Sequence, residues 1–229
     1  MTTRTLVELN AGLWAIEDHA GIPGGAKLPV RATVISLGDG TLAIHSPVAM
    51  DEATAVAVES LGTVRHIIAP SALHHLYVGP ALKRFSQAKL YGTRALGKKR
   101  KRLRFDAYLN DGLPAALGSV LEALTLQGAP AVEETVFFHK PSKSLLVTDM
   151  IFNIAQPQGA MTKFILSCTG TNGRLAQSRL WRFYAKDKQA FVASTHKMLD
   201  WNFDALVPCH GDVVAAGAKP AVQAALRWK

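Results

Sequence analysis

Four apolar runs in this sequence end in side chains able to bind a metal ion. Leu42-Ala43-Ile44 runs into His45, Ile67-Ile68 leads to the adjacent pair His74-His75, Leu145-Leu146-Val147 leads to Asp149, and Leu206-Val207 leads to His210. Neutral imidazole nitrogens and a carboxylate oxygen are both available to a divalent cation near pH 7. Gathered from separate strand ends, they form the donor set of a zinc- or iron-type centre. Each residue also has a plainer use. A vicinal histidine pair can decorate a polar turn, Asp149 can cap the turn after its strand, and His210 before Gly211 can satisfy a buried loop. The common placement at strand ends favours the ligand reading. His19, His66 and His196 follow no such pattern, and His139 stands at the far end of its hairpin from Asp149.

The elements that must position these residues follow from hydrophobic period and turn chemistry. Leu6 to Glu8 and Leu13 to Glu17 read as short strands about an Asn10-Ala11-Gly12 turn, and Gly21 to Pro29 as an irregular Gly/Pro loop. Val30 to Leu37 and Thr41 to His45 form a hairpin through Gly38-Asp39-Gly40. Asp51 caps a helix running to Leu61. The strand of Ile67 and Ile68 is followed by a helix from about Pro80 to Phe85 and a strand at Lys89 to Tyr91. Helix alternating with buried strand indicates an α/β chain. Further on, Leu121 to Leu126 is a strand, and Glu134 to His139 with Ser144 to Asp149 is a second hairpin, apolar enough to be buried on both faces. Leu175 to Tyr184 and Lys188 to Leu199 read as amphipathic helices, Ala205 to Pro208 as a last strand, and Lys219 to Trp228 as a closing helix. Residues 1–229 read as a single domain.

At this point the chain resembles the metallo-β-lactamase superfamily over nearly its whole length. The resemblance lies in the opening hairpin, in Ile67 to Gly79, in Leu145 to Phe152 and in Val207-Pro208-Cys209-His210-Gly211. It is more narrowly similar to an uncharacterised branch of that superfamily, a domain of unknown function. Leu73-His74-His75-Leu76, Phe137-Phe138-His139-Lys140-Pro141-Ser142, and the ending from Trp201-Asn202-Phe203-Asp204 to His210-Gly211-Asp212 carry that narrower likeness. The resemblance implies a four-layer αββα sandwich with a metal site at one edge of two sheets.

The superfamily's H-x-H-x-D-H turn, registered with His75 as its final histidine, puts Pro70 and Ala72 where the first two histidines belong and His74 where the aspartate belongs. The histidine that should fall near Gly128 to Val132 is absent. The first of two metal positions therefore has no protein ligands. The second keeps His75, Asp149 and His210, with His74 replacing its aspartate. The resemblance thus implies one divalent ion held by His74, His75, Asp149 and His210, zinc first, with iron or manganese as alternatives. Asp149 would also orient the attacking water. His45 lies where the superfamily often carries an acidic residue beside the ligands, placed to hydrogen-bond a ligand or the substrate.

The implied activity is hydrolysis of an ester, thioester, lactone or phosphoester. The alternatives are a degenerate, non-catalytic member kept as a binding module, and a nucleic-acid binder. The last rests on Lys98-Lys99-Arg100-Lys101-Arg102, with Arg104 beside it. A solvated helix face is the commoner origin of such a run, and only Phe105 and Tyr108 lie near it as stacking rings.

Composition bounds these readings. The chain has 229 residues, 48% of them hydrophobic, enough for a large core. Its formal charge of +9 biases it toward anionic small molecules or nucleic acid. Cys168 and Cys209 lack the spacing of a disulfide framework or a cysteine-rich zinc site. No apolar run is long enough to span a membrane, and the first residues do not read as a signal segment, so a cytoplasmic protein is expected.

Overall fold

The computed structural model describes residues 5–22 and 25–226. Its first sheet contains β1 (Leu6–Asn10), β2 (Leu13–Ile22), β3 (Ala26–Ser36), β4 (Thr41–His45), β5 (Thr63–Ala69), β6 (Lys89–Gly92) and β7 (Ala107–Tyr108), paired in chain order. The β1–β4 part is antiparallel. From β4 onward the pairs are parallel, because α1 (Glu52–Leu61), α2 (Val78–Arg84) and α3 (Arg94–Lys99) supply the crossovers. Asp51 caps α1 by accepting from Thr54 N at 2.8 Å, as its residue type predicts.

A short α4 (Ala115–Gly118) leads into the second sheet, where β8 (Leu121–Thr125), β9 (Thr135–His139), β10 (Ser144–Val147) and β13 (Ala205–Pro208) lie in the order β13-β10-β9-β8. Between β10 and β13 the chain forms a small ribbon of β11 (Ile151–Asn153) and β12 (Leu175–Gln177), with α5 (Ala160–Thr169), α6 (Trp181–Tyr184) and α7 (Lys188–Leu199) around it. α8 (Ala218–Ala225) packs after β13.

Three apolar layers hold this stack together. Ile68, Ile35 and Tyr91 from the first sheet meet Phe137, Leu146 and Val207 from the second. Their sequence neighbours point the other way: Ile67 and Leu90 pack under α2 and α3, and Phe138, Leu145 and Leu206 pack with Phe191 and Met198 of α7 and Val222 of α8. Side chains alternate across a strand, so strands apolar at every position must be covered on both faces. The result is a four-layer αββα sandwich. Among the described residues, no helix is long and apolar enough to cross a membrane.

Two expectations for the chain's elements give way here. Residues 21–22 and 26–29 are strand, not loop: the β2–β3 hairpin continues through His19↔Pro29, Ala20↔Leu28 and Gly21↔Lys27, while Pro23 and Gly24 lie outside the described residues. β4 pairs with Thr33–Ser36, so among the described residues the Ala26–Ala32 half of β3 has no strand on that side, where proline is tolerated. Residues 175–184 are not one helix either. The segment splits into β12 and the short α6, because Leu175–Gln177 pairs with β11. The helix α5 was not foreseen, and of the expected closing helix, Arg227 and Trp228 lie outside the described residues.

His139, at the end of β9, is buried, with Nδ1 2.6 Å from Ser142 Oγ and no partner for Nε2. Burial lowers this ring from the ordinary 6.5 to about 4. The native state therefore binds fewer protons than the unfolded chain between those values, so this contribution is full above pH 6.5 and lost as pH falls toward 4. Urea midpoints followed across that window should show the acid limb of His139→Gln flattened by about one proton, ~1.4 kcal/mol per pH unit.

Candidate metal centre

The two parallel strands of the second sheet set the register of the site. β10 and β13 pair Val147 with Pro208, so Asp149 and His210 emerge two residues beyond one level. Cys209 N donates to Val147 O at 2.9 Å, which keeps the strand ends together as they leave the ladder. His74 comes from the first sheet. The segment after β5 is stitched to the second sheet by Thr135 N donating to Pro70 O at 2.8 Å and Ala72 N to Val132 O at 2.9 Å. Ser71 Oγ, fully buried, then faces the amides of Leu73 and His74 at 3.2 and 3.3 Å and turns the chain so that His74 points into the site.

His74, Asp149 and His210 converge, with one donor atom of each within 4.8 Å of the others. His74 Nε2 lies 3.2 Å from Asp149 Oδ2, and His210 Nε2 lies 3.5 Å from Oδ1. Ligands of a tetrahedral ion with bonds of about 2.0 Å sit about 3.3 Å apart, so these separations match such a centre.

The far side of each ring is held. His74 Nδ1 is 2.7 Å from Ser46 Oγ, and Ser46 sits in the left-handed region at φ 53°, a strained conformation that aims its hydroxyl at the ring. His210 Nδ1 is 2.9 Å from Pro29 O, and the ring stacks on Phe152 at a centroid distance of 4.6 Å. A carbonyl oxygen only accepts, so Nδ1 of His210 carries hydrogen. In the neutral ring the lone pair is then on Nε2, facing a carboxylate oxygen. Two lone pairs in opposition repel unless a proton or a cation lies between them. Asp149 Oδ2 raises the same question, since it is buried with no hydrogen-bond donor aligned on it. The donor set, its spacing and this unanswered oxygen all fit a divalent ion.

Asp149 is fixed from behind by residues that sequence reasoning missed. Glu134 is fully buried and accepts from Thr148 N at 2.7 Å and Asp149 N at 3.0 Å. Trp181 Nε1 donates to Asp149 O at 2.9 Å. Burial and the nearby Asp149 charge raise the Glu134 carboxyl. Burial also works to raise Asp149, but His74 and His210 outweigh it and hold that carboxyl well below the usual range. The negative charge is thus concentrated on Asp149. The available signal was a glutamate opening an otherwise apolar strand. His210 is followed by Gly211 at φ 100°, where a Cβ would stand 2.1 Å from Asn153 O, so only glycine lets the chain turn against β11.

Two residues expected at the centre are not among its converging donors. His75 faces the other way, with Nδ1 3.4 Å from Arg100 Nε; burial, then Arg100 and Lys99, lower its ring to about 4. A neighbour in a turn cannot follow His74 when the Ser71 contacts fix the backbone. His45 is buried behind the site, edge-on to Phe137, with neither ring nitrogen partnered and its ring lowered by burial to about 3. It does not line the cavity; the next residue, Ser46, does. Lys98 to Arg102 line a separate basic pocket.

The triad stands in the wall of a cavity of about 330 Å³ otherwise lined mainly by apolar side chains, among them Leu28, Val30, Leu73, Phe152, Leu166 and Leu180. A larger cleft of about 1140 Å³, between β3 and the segment 154–162, does not include the triad. The smaller cavity is the relevant one because the ligand atoms face it.

Comparison with known proteins agrees with this architecture. A family profile described as a domain of unknown function, DUF4336, matches residues 10–95. No curated protein matches the chain. Among solved structures, the chain is similar to a metallo-beta-lactamase from Pontibacter korlensis at 11% identity and a TM-score of 0.67, covering 96% of this chain and 97% of that one. The metallo-beta-lactamase FIM-1 from Pseudomonas aeruginosa, in its mono-zinc form, gives 12% identity and a TM-score of 0.62, with 97% and 94% covered. A metal-soaked Flv1 flavodiiron core from Synechocystis gives 11% and 0.67, covering 99% of this chain and 60% of that one. The chain has the metallo-β-lactamase fold.

Glu134→Ala leaves two amide donors without an acceptor at the base of Asp149. It should lower stability by on the order of 3 kcal/mol in urea unfolding. An unchanged midpoint would mean that Glu134 does not hold the Asp149 turn.

Proposed function

We propose that this chain binds one divalent metal ion through His74, Asp149 and His210 and uses it to hydrolyse a carboxylic ester, thioester or lactone. The observation that carries the reading is the contact between His210 and Asp149: Pro29 O fixes the proton on Nδ1, leaving Nε2 directed at a carboxylate oxygen 3.5 Å away. Three protein ligands with an open position are the pattern of a catalytic zinc site, and zinc is the first choice for two imidazoles and a carboxylate.

A bound ion of this kind supplies Lewis acidity and lowers the pKa of a coordinated water toward about 7. The chain's own residues do the rest. Ser46 and Pro29 fix the orientation of the two imidazoles, as second contacts of ligand histidines generally do. Asp149, held by Glu134 and Trp181, keeps the negative charge that offsets the cation and has a second oxygen able to accept a proton from the attacking water. Leu28, Val30, Phe152 and Leu180 exclude bulk water and favour an apolar acyl group. This lining offers no cation for a phosphodiester beside the triad, which favours carboxyl over phosphoryl substrates.

A second reading, a non-catalytic binding module, is favoured by what occupies the other half of the H-x-H-x-D-H turn. Pro70 and Ala72 bond to Thr135 of β9 and to Val132 in the turn before it, and Ala72, Ala129 and Val132 are buried apolar residues. A water activated between two ions is therefore not available to this chain.

Elemental analysis of protein purified without chelator should find about one equivalent of metal, as a single three-ligand site requires. His74→Ala, Asp149→Ala and His210→Ala should lose it, and His75→Ala should retain it. Equal metal in wild type and the three ligand variants sinks the proposal, and loss in His75→Ala alone would restore the fourth ligand. Loaded protein that cleaves no p-nitrophenyl ester, thioester or lactone in a broad panel would favour the binding module.

A further inference from the structure

The two adjacent histidines serve two cavities. His74 faces the triad cavity, while His75 turns to a second pocket of about 550 Å³ lined by Lys98, Lys99, Arg100, Lys101, Arg102 and the apolar Leu76, Pro80 and Leu103. Five consecutive cationic residues meet there with no carboxylate in the lining. α3 ends at Lys99 with its helix capped by Thr93, and the chain turns at Arg100 to Leu103, so the basic side chains gather around a concavity instead of spreading along a helix face.

Two of the five are committed within the protein. Lys99 donates to Ala72 O at 2.8 Å, and Arg100 Nε lies 3.4 Å from His75 Nδ1. Both contacts tie the basic turn to the 70–75 segment that carries His74. Lys98, Lys101 and Arg102 have no hydrogen bond or ion pair to a protein group among the described residues. Like charges held this close repel, and a concave arrangement concentrates their field on whatever enters. A single carboxylate neutralises one of the three, whereas a phosphate-bearing group supplies several oxygens and more than one charge.

The pockets share a wall. His75 and Leu76 line both, and Leu76 is 66% exposed, an apolar ridge between an apolar cavity and a basic one. We propose that the Lys98–Arg102 pocket is the subsite for a phosphate-bearing carrier, and that the substrate is an apolar acyl group joined to such a carrier, lying across Leu76 with its acyl end in the triad cavity. The proposal rests on the hydrolase reading for the acyl end and adds the substrate class to it. A nucleic-acid surface is less well supported: the cations form a pocket instead of an extended groove, and no Phe, Tyr or Trp lines that pocket.

The test is calorimetric titration of metal-loaded protein with octanoyl-coenzyme A, coenzyme A, octanoate and oligouridylate. Octanoyl-coenzyme A should bind at least about tenfold more tightly than either half, and its affinity should fall with added salt. The triple variant Lys98→Ala, Lys101→Ala and Arg102→Ala, all exposed positions, should lose about tenfold or more toward both coenzyme A ligands and keep its affinity for octanoate. His210→Ala should keep the coenzyme A affinity of wild type, so failure of the metal reading is distinguishable from failure of the subsite. The proposal is overturned if the triple variant binds the coenzyme A ligands like wild type. It is equally overturned if neither ligand binds wild type, or if only oligouridylate does.

Discussion

Everything at the centre depends on one largely buried negative charge. Asp149 sits between two imidazoles, neither of which supplies an aligned hydrogen bond to Oδ2. A carboxylate taken out of water must be compensated, and the surrounding structure is arranged around that demand. Glu134 yields its charge and serves as an acceptor for the amides of Thr148 and Asp149. Trp181 ties down the carbonyl of the same residue. The imidazoles are fixed at their far nitrogens by Ser46 and Pro29, so they are not free to turn and donate elsewhere.

That constraint also explains why the two sheets cannot be regarded separately. Pro29 and Arg31 of β3 both reach across to the end of β13, the first accepting from His210 and the second donating to Pro208 O at 2.6 Å. Pro70 and Ala72 make the corresponding links from β5 to the entry of β9. Their backbone groups join the two sheets, and the converging metal-type donors among the described residues are those of His74, Asp149 and His210. Next to His210 in the chain, burial pushes the Cys209 thiol up to about 12.

Much of the architecture was legible in the chain. Strands apolar at every position, such as Thr135–His139 and Ser144–Val147, announced burial on both faces, and Asp51 and the Gly38–Gly40 turn marked their elements correctly. The misread segments share a cause. Lys27–Pro29 is a strand because it has β2 to pair with, and Leu175–Gln177 because it has β11; neither partner is visible in local propensity. Glu134 was missed for a similar reason. A glutamate before a strand is ordinary, and its role exists only once two amides from the far end of the hairpin are folded onto it.

The types and order of the site residues, and their places after apolar strands, belong to the sequence alone. So does the charge of the Lys98–Arg102 run. The tertiary structure decided between neighbours. His74 rather than His75 faces Asp149 because Ser71 fixes the turn before them, and a rotation of one residue reverses the direction of a side chain. His45 lies behind the site while Ser46, in a left-handed conformation, reaches it. The basic run became a pocket beside an apolar cavity only because α3 stops at Lys99 and the chain folds back against Ala72. Residue identity carries chemical capacity, but direction and adjacency come from backbone torsions and from partners distant in the chain.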